Sequence, residues 1–477
     1  MGRNDKRVLG NGVSRRKFVV GSTAIGSVVL AGCLGDDDDD GDDTIGTDDD
    51  LTVDDTDDGA DDADDDEDVE LPDELTFLHY ETADDRRAVI QDIGERFQDH
   101  SGVSVNQRVV QEGDLPVELT TSVAADVLPN VGQLSLDVLQ MAVDAIEHGS
   151  ADRVIEEIGE DRFYDNLLDM CRDPDGDGYF GVPLYAWPQL THARQSVFDD
   201  EGLEPPRTWD EWLTAAEALH DPDDNQFGVI IGTEVDQYTE QCFTGFALSN
   251  DAHVFSEDGE IVFDSDEMVE ALEFYAELAE YTPPGAVDAG TIGPVYNEQN
   301  AHLYSGNSFS IYFNSLGLEE GEEIGEYVVP VIENQRSSTY GELVVTTTFG
   351  GQSAGEVQAS EDWQSFIRGS QDIEDYIEWT HMQVGGFQPV MPEIRDMEEY
   401  RSHELIQHWP DELIDEILPE SIEGMERFGL REGRLFPEIG PIAGNFMVAR
   451  AISDVIDGED AQEVAEETAD EMRDLVE

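Results

Sequence analysis

The sequence predicts an α/β protein built as two lobes, and three observations carry that expectation. From Leu71 onward, short apolar strand-like runs alternate with amphipathic helical ones, the pattern of parallel strands covered by helices. The stretch 71–477 is longer than one hydrophobic core usually serves. No repeat at a solenoid period offers another way of building that length.

Ahead of the globular part, Ser14-Arg15-Arg16-Lys17-Phe18 precedes the apolar run Val19 to Leu30, which closes on Leu30-Ala31-Gly32-Cys33. Paired arginines before a short apolar segment mark a twin-arginine export signal. The run is too short for a mature span, which needs ~20 apolar residues. Its small-small-Cys ending resembles a lipoprotein box. Residues 1–32 are therefore expected to be a signal peptide, and Cys33 the lipidated first mature residue. That places the chain on the extracellular face of the cytoplasmic membrane. Residues 33–72 follow as a tether, with the aspartate runs Asp36–Asp40, Asp48–Asp50 and Asp64–Asp66 and no basic residue. Such a tract buries too little apolar surface to fold, and its self-repulsion extends it.

The formal net charge is −89, from 113 acidic and 24 basic residues. Beyond Lys17 there is no lysine, and the 18 remaining basic residues are all arginine. Like charges at this density oppose compaction in dilute buffer. In molar salt the Debye length falls to ~3 Å and most of that penalty vanishes. The composition reads as the surface of an extreme halophile. It excludes nucleic acid as a ligand, because phosphate binding needs clustered Lys and Arg. Cys171 and Cys242 make neither a zinc framework nor a redox motif, and whether they pair stays open.

In chain order, Leu75–Tyr80 reads as a buried strand, Ala83–His100 as an amphipathic helix and Val103–Val109 as a second strand. Thr208-Trp209-Asp210-Glu211 is a capping box after Pro205-Pro206, and it opens a helix with Trp209, Trp212, Leu213, Ala216 and Leu219 on one face. Trp209 and Trp212 are assigned to packing. Further helices are expected over Asp266–Tyr281, stopped by Pro283-Pro284, and over Ala461–Val476.

Three motifs suggest other chemistry. Gly351-Gln-Ser353-Ala-Gly355 matches a nucleophile elbow, but that motif needs a helix at once, and the next one is expected only from Ser360. His403-Glu404…His408 places its second histidine one residue too late for zinc. Asp173-Pro-Asp175-Gly-Asp177-Gly178 opens like a calcium loop but has Leu184 where a bidentate glutamate is required. An acidic turn is the reading preferred.

Other blocks occur in a telling order. They are Asp177-Gly-Tyr-Phe-Gly-Val-Pro183, Gly202-Leu-Glu-Pro-Pro-Arg-Thr-Trp209-Asp-Glu-Trp212, Leu303-Tyr-Ser-Gly-Asn-Ser-Phe309, Phe349-Gly350-Gly351 and Val448-Ala-Arg-Ala-Ile452. Together they resemble the extracellular solute-binding proteins of ABC importers, the group that includes sugar- and maltodextrin-binding proteins. Two departures bear on the ligand: Thr191-His192-Ala193-Arg194 replaces the group's usual Tyr-Asn, and Ser308-Phe309 its Ala-Met. The resemblance implies a periplasmic-binding-protein-like (type II) fold, with lobe one as 73–190 plus 338–395 and lobe two as 191–333 plus 398–477. It implies a solute held in the interlobe cleft without chemical change, no cofactor, no metal, and a monomer working with ABC permease subunits.

Residue by residue, the resemblance places ligand contacts at Tyr80, Glu81, Gln133, Asp137, Tyr185, Trp187, Phe313, Asn314, Gly350, Gly351, Asn445 and Phe446. Aromatic faces stack on the C–H patches of a sugar, and carboxylates and amides pair with its hydroxyls. A sugar or oligosaccharide is the first expectation. A polyol or glycerol phosphate is the alternative, although no arginine for a phosphate sits in these blocks. An exported hydrolase using Ser353 is the rival of another class.

Overall fold

The structure, a computed structural model, describes residues 69–476 except 126, 137, 140–147, 174–177 and 432. The export signal, Cys33, most of the acidic tether and the centre of the 173–178 loop lie outside those residues, as does Asp137. No described helix is long and apolar enough to cross a membrane.

A nine-stranded mixed sheet organises the fold. Its strands are β1 (Glu74–His79), β2 (Ser104–Val109), β3 (Val131–Ser135), β4 (Val182–Arg194), β5 (Leu303–Asn307), β6 (Glu326–Val329), β7 (Ile332–Glu333), β8 (Ser337–Thr348) and β9 (Met425–Glu426). The order is β2-β1-β3-β8-β4-β5, with β6 on β4 and β7 and β9 on β8. β1 runs parallel to β2 and β3, while β3–β8 and β8–β4 are antiparallel.

The long strand β4 changes partners midway. Val182–Pro188 pair with β8, whereas Gln189–Ala193 pair with β5 and Thr191–Arg194 with β6. The exchange falls at Pro188, which has no N–H to give to a ladder. Before it, Leu75, Phe77, Phe97, Trp363 and Trp379 build one core; beyond it, Ala193, Trp212, Phe246, Tyr275 and Leu303 build another. Two crossing strands between two cores give the two-lobed, periplasmic-binding-protein-like fold.

Most predicted elements form where the pattern put them. The first helix spans Asp84–Ser101, buries Ile90, Ile93 and Phe97, and ends on Gly102 at φ 82°, a conformation glycine adopts without strain. The Thr208–Glu211 capping box forms in full and starts the helix Trp209–Leu219. Trp212 is buried, and Trp209 stacks on Phe274 with centroids 4.2 Å apart. The last helix covers Ala461–Val476.

Three expectations need correction. The stretch from 398 was assigned to lobe two, yet Tyr400, Ile406, Trp409, Leu413, Leu418, Ile422 and Met425 all pack in the first core. Ile311, Ile324 and Val328 join them there, and the chain first regains the second core at Phe428. Nothing local marks that return; long-range packing decides it. The Phe349-Gly350-Gly351 block, which by the resemblance is the second crossing strand, lies past the end of β8, and β8 makes the crossing instead. Finally, the helix after it begins at Ala354, not Ser360, and runs to Phe366. Cys171 and Cys242 are free buried thiols, one in each core.

Candidate functional site

β1 and β3 end side by side, which brings the residues just past β1 against β3 and β4. Glu81 is only 1% exposed, and its carboxylate is fully engaged. Oε1 accepts from Gln133 Nε2 at 2.9 Å and from the Tyr185 hydroxyl at 3.3 Å, while Oε2 accepts from Arg86 at 2.8 Å. Arg86 also donates to Gln383. The Tyr80 and Tyr185 hydroxyls lie 3.3 Å apart. Burial pushes both phenols well above their ordinary pKa, so each keeps its proton and stays a donor. Gln133 Oε1 is buried with no partner among the described residues. Behind the set, the Tyr185 ring stacks on Phe387 at 4.0 Å and 20°.

An aromatic wall continues along the crossing strands. Trp187 follows Tyr185 by two residues on β4 and is half-buried. Its ring meets Phe309 at 6.2 Å and Tyr340 at 5.9 Å. Glu342 stands opposite Trp187 in the β4–β8 register. Its carboxylate accepts the Leu136 backbone N–H at 3.0 Å, lies 3.3 Å from the Tyr340 hydroxyl and pairs with Arg427 at 2.9 Å.

Two more carboxylates act on this region. Glu112 lies exposed on the turn after β2, and desolvation with the Glu81 charge pushes its carboxyl up. Glu240, on the helix Gln237–Ser249, is pushed up to about 7 by burial and lies close enough to act on the Tyr340 phenol. Flat aromatic faces next to carboxylates, an amide and protonated phenols suit a ligand carrying both C–H faces and hydroxyls. An open depression of ≈ 510 Å³ between Thr82, the end of β2 and Val117 lies to one side and is lined by none of these residues.

Residues 81–307 match the family described as bacterial extracellular solute-binding protein. The chain is also 30% identical, over 392 residues, to YcjN of Escherichia coli K12, whose name assigns it as a putative ABC transporter periplasmic-binding protein. That alignment covers 80% of this chain and 88% of YcjN. The chain belongs to the bacterial extracellular solute-binding proteins. A mannitol-binding protein of Pseudomonas aeruginosa is 28% identical over 216 residues, 43% of this chain and 47% of its own. Among solved structures, a solute-binding protein of Agrobacterium radiobacter K84 in complex with ribitol superposes with a TM-score of 0.67 at 17% identity, covering 85% of this chain and 99% of that one. Maltose-bound MalE3 of T. maritima does so with a TM-score of 0.66 at 15% identity, covering 84% and 99%. At such identities the likeness is one of fold.

In this solute-binding protein, the fold brings Tyr80, Glu81, Gln133, Tyr185 and Trp187 to one place. The other described candidates do not join them. Gly350 and Gly351 are corrected: Gln133 pairs with Thr346 but Val131 with Thr348, so the glycines lie beyond the opposite end of β3. Asn314 is spent on local partners, donating to Glu326 at 2.6 Å and to the Tyr304 hydroxyl at 3.3 Å. Phe313 is 61% exposed and touches Tyr312. The Asn445 amide donates to the Pro441 carbonyl at 2.8 Å. Phe446 joins two helices at φ 50°, a left-handed conformation that costs a non-glycine residue ~1–3 kcal/mol.

Motifs of other chemistry are absorbed by structure. Ser353 caps the helix Ala354–Phe366 in a capping box, its hydroxyl donating to Glu356 at 2.7 Å. His403 Nδ1 accepts the Leu405 N–H, and among the described residues no His, Cys, Asp or Glu group of three could hold a metal. Sequence reasoning missed Arg86, Glu112, Glu240, Phe309, Tyr340, Glu342, Phe387 and Arg427. One signal was available: Glu342 is a lone charge in the otherwise uncharged run Ser337–Thr348, and a buried charge persists only with partners.

Proposed function

We propose that this solute-binding protein captures a polyol or sugar between its lobes and delivers it to an ABC permease. The observation that carries the reading is the joint presence, where the chain crosses between its two cores, of the Trp187–Tyr340 wall and the Tyr80–Glu81–Gln133–Tyr185 polar set. Stacking on the wall takes the C–H face of the ligand, and carboxylate oxygens accept hydrogen bonds from its hydroxyls. An analogue lacking those hydroxyls leaves buried acceptors unpaired, at ~1–3 kcal/mol each. Ligand touching both lobes favours the closed arrangement by its differential affinity for it. The lobes themselves are read as 73–190, 309–328 and 338–425 around the first core, which Leu430 and Leu435 rejoin, and the remainder around the second, supported by the two clusters.

The mature chain is further read as a twin-arginine-exported lipoprotein, tethered through Cys33 and the acidic tract and adapted to molar salt. The Arg15-Arg16 pair, the apolar run and Cys33 support export and anchoring, and the lysine-free, carboxylate-rich composition supports the adaptation to salt. A melting screen of the mature chain in molar KCl with mannitol, ribitol and maltose tests the binding function. A saturable rise in Tm for one of them is expected, because a ligand that binds only the native state stabilises it. Release of Cys33→Ser protein from the membrane fraction tests the anchor.

A further inference from the structure

Arg427 lies in the short passage from Met425 in the first core to Phe428 in the second, ahead of Leu430 and Leu435, which touch the first core again. It is a further crossing beside β4 and β8, held by β9 pairing with β8 at Thr339 and Tyr340. The Arg427 side chain is 6% exposed, meets Glu342 at 2.9 Å and sits 5.5 Å from the centre of the Tyr340 ring. Glu342 at the same time holds the Leu136 N–H at the end of β3 and neighbours the Tyr340 hydroxyl. One buried ion pair thus touches the first-lobe strand end, β8, the Met425–Phe428 passage and the aromatic wall. Well-packed hydrophobic residues would serve stability at least as well as such a pair, so its presence points to a demand for geometry.

We propose that Glu342 and Arg427 are positioning residues of the solute site, fixing the Tyr340–Trp187 wall and registering the Met425–Phe428 passage against the first lobe. The inference rests on the solute-binding reading above. Neither residue needs to touch ligand: Tyr340 is held at its hydroxyl by Glu342 and at its ring by Arg427, and Tyr340 in turn backs Trp187. Burial drives both charged groups toward neutrality, Glu342 up to about 8 and Arg427 down to about 10, which agrees with a pair kept at some cost to stability.

The test uses Glu342→Gln, Arg427→Met and the double variant in molar KCl, with mannitol, ribitol and maltose as probes, reading Tm without ligand and Kd by titration calorimetry. Each single variant is expected to lose Tm and at least tenfold in affinity for whichever probe the parent binds. The double variant is expected to regain most of the Tm while staying at least tenfold weaker. Recovery of affinity in the double variant to within twofold of the parent would reduce the pair to a structural role and overturn the proposal. If the single variants do not fold, the double variant and Arg427→Lys decide: the lysine keeps the charge but not the planar contact with Tyr340, so parental affinity in Arg427→Lys overturns the positioning role. A parent that binds none of the three probes fails the solute reading itself, a result distinct from a variant that binds like its parent.

Discussion

Removing Trp187 separates the wall of a binding site from ordinary core, because the structure sets two magnitudes that can be measured independently. The indole is partly open, with its buried side against Phe309 and Tyr340. A fully buried Trp→Ala costs ~3–5 kcal/mol, so a half-buried one should cost about 2–3 kcal/mol without ligand. For a chain of this size that lowers Tm by roughly 4–10 °C. A ligand stacked on the open face would hide on the order of 50 Å² of indole and as much of itself. At ~25 cal/mol per Å² this is about 2.5 kcal/mol, or a roughly 60-fold weaker Kd for Trp187→Ala. Calorimetric titration with the probe that binds, alongside melting of the unliganded protein, reads both. A Kd within threefold of the parent would refute the wall, and a Tm loss beyond about 15 °C would mark Trp187 as core.

Glu81→Ala leaves Gln133, Tyr185 and Arg86 without their shared acceptor and should cost about 2–4 kcal/mol in urea unfolding, with solute binding lost. Burial holds His79 down to about 4, against the hydrogen bond to Gln107 that favours its charged form. Below pH ~6.5 the unfolded chain takes up a proton the folded chain refuses, so this stability is complete above 6.5 and lost as pH falls toward 4. Between pH 7 and 4 the parent should lose roughly 3 kcal/mol more than His79→Gln, a comparison that cancels the opposite trend of Glu342 and Glu240. Ser353→Ala removes a helix cap worth ~1 kcal/mol and should leave solute affinity unchanged; loss of an esterase activity on that substitution would revive the nucleophile reading. Dilution from molar to 0.1 M KCl should lower Tm by roughly 10 °C or more, as carboxylate repulsion is unscreened.

The candidate residues that the sequence pointed to and the fold gathers are those anchored to local pattern. Tyr80 and Glu81 follow a recognisable buried strand, and Tyr185 and Trp187 stand in an apolar run too aromatic for a plain strand. Their partners come from far along the chain: Phe309, Tyr340, Glu342, Phe387 and Arg427 are separated from them by more than a hundred residues. Gly350 and Gly351 show the converse failure. They lie close in sequence to a crossing strand, but antiparallel pairing of β8 with β3 carries them away from the site.

By itself the sequence determined the alternation of strands and helices, the capped helix starts, the acidic surface and the expectation of two lobes. Each follows from periodicity, capping chemistry or charge count, all local or additive properties. Only the tertiary structure decided which distant residues share a core, which carboxylates are buried, and that Glu342 meets Arg427. Those outcomes depend on packing between segments distant in sequence, where burial and partner choice are settled together.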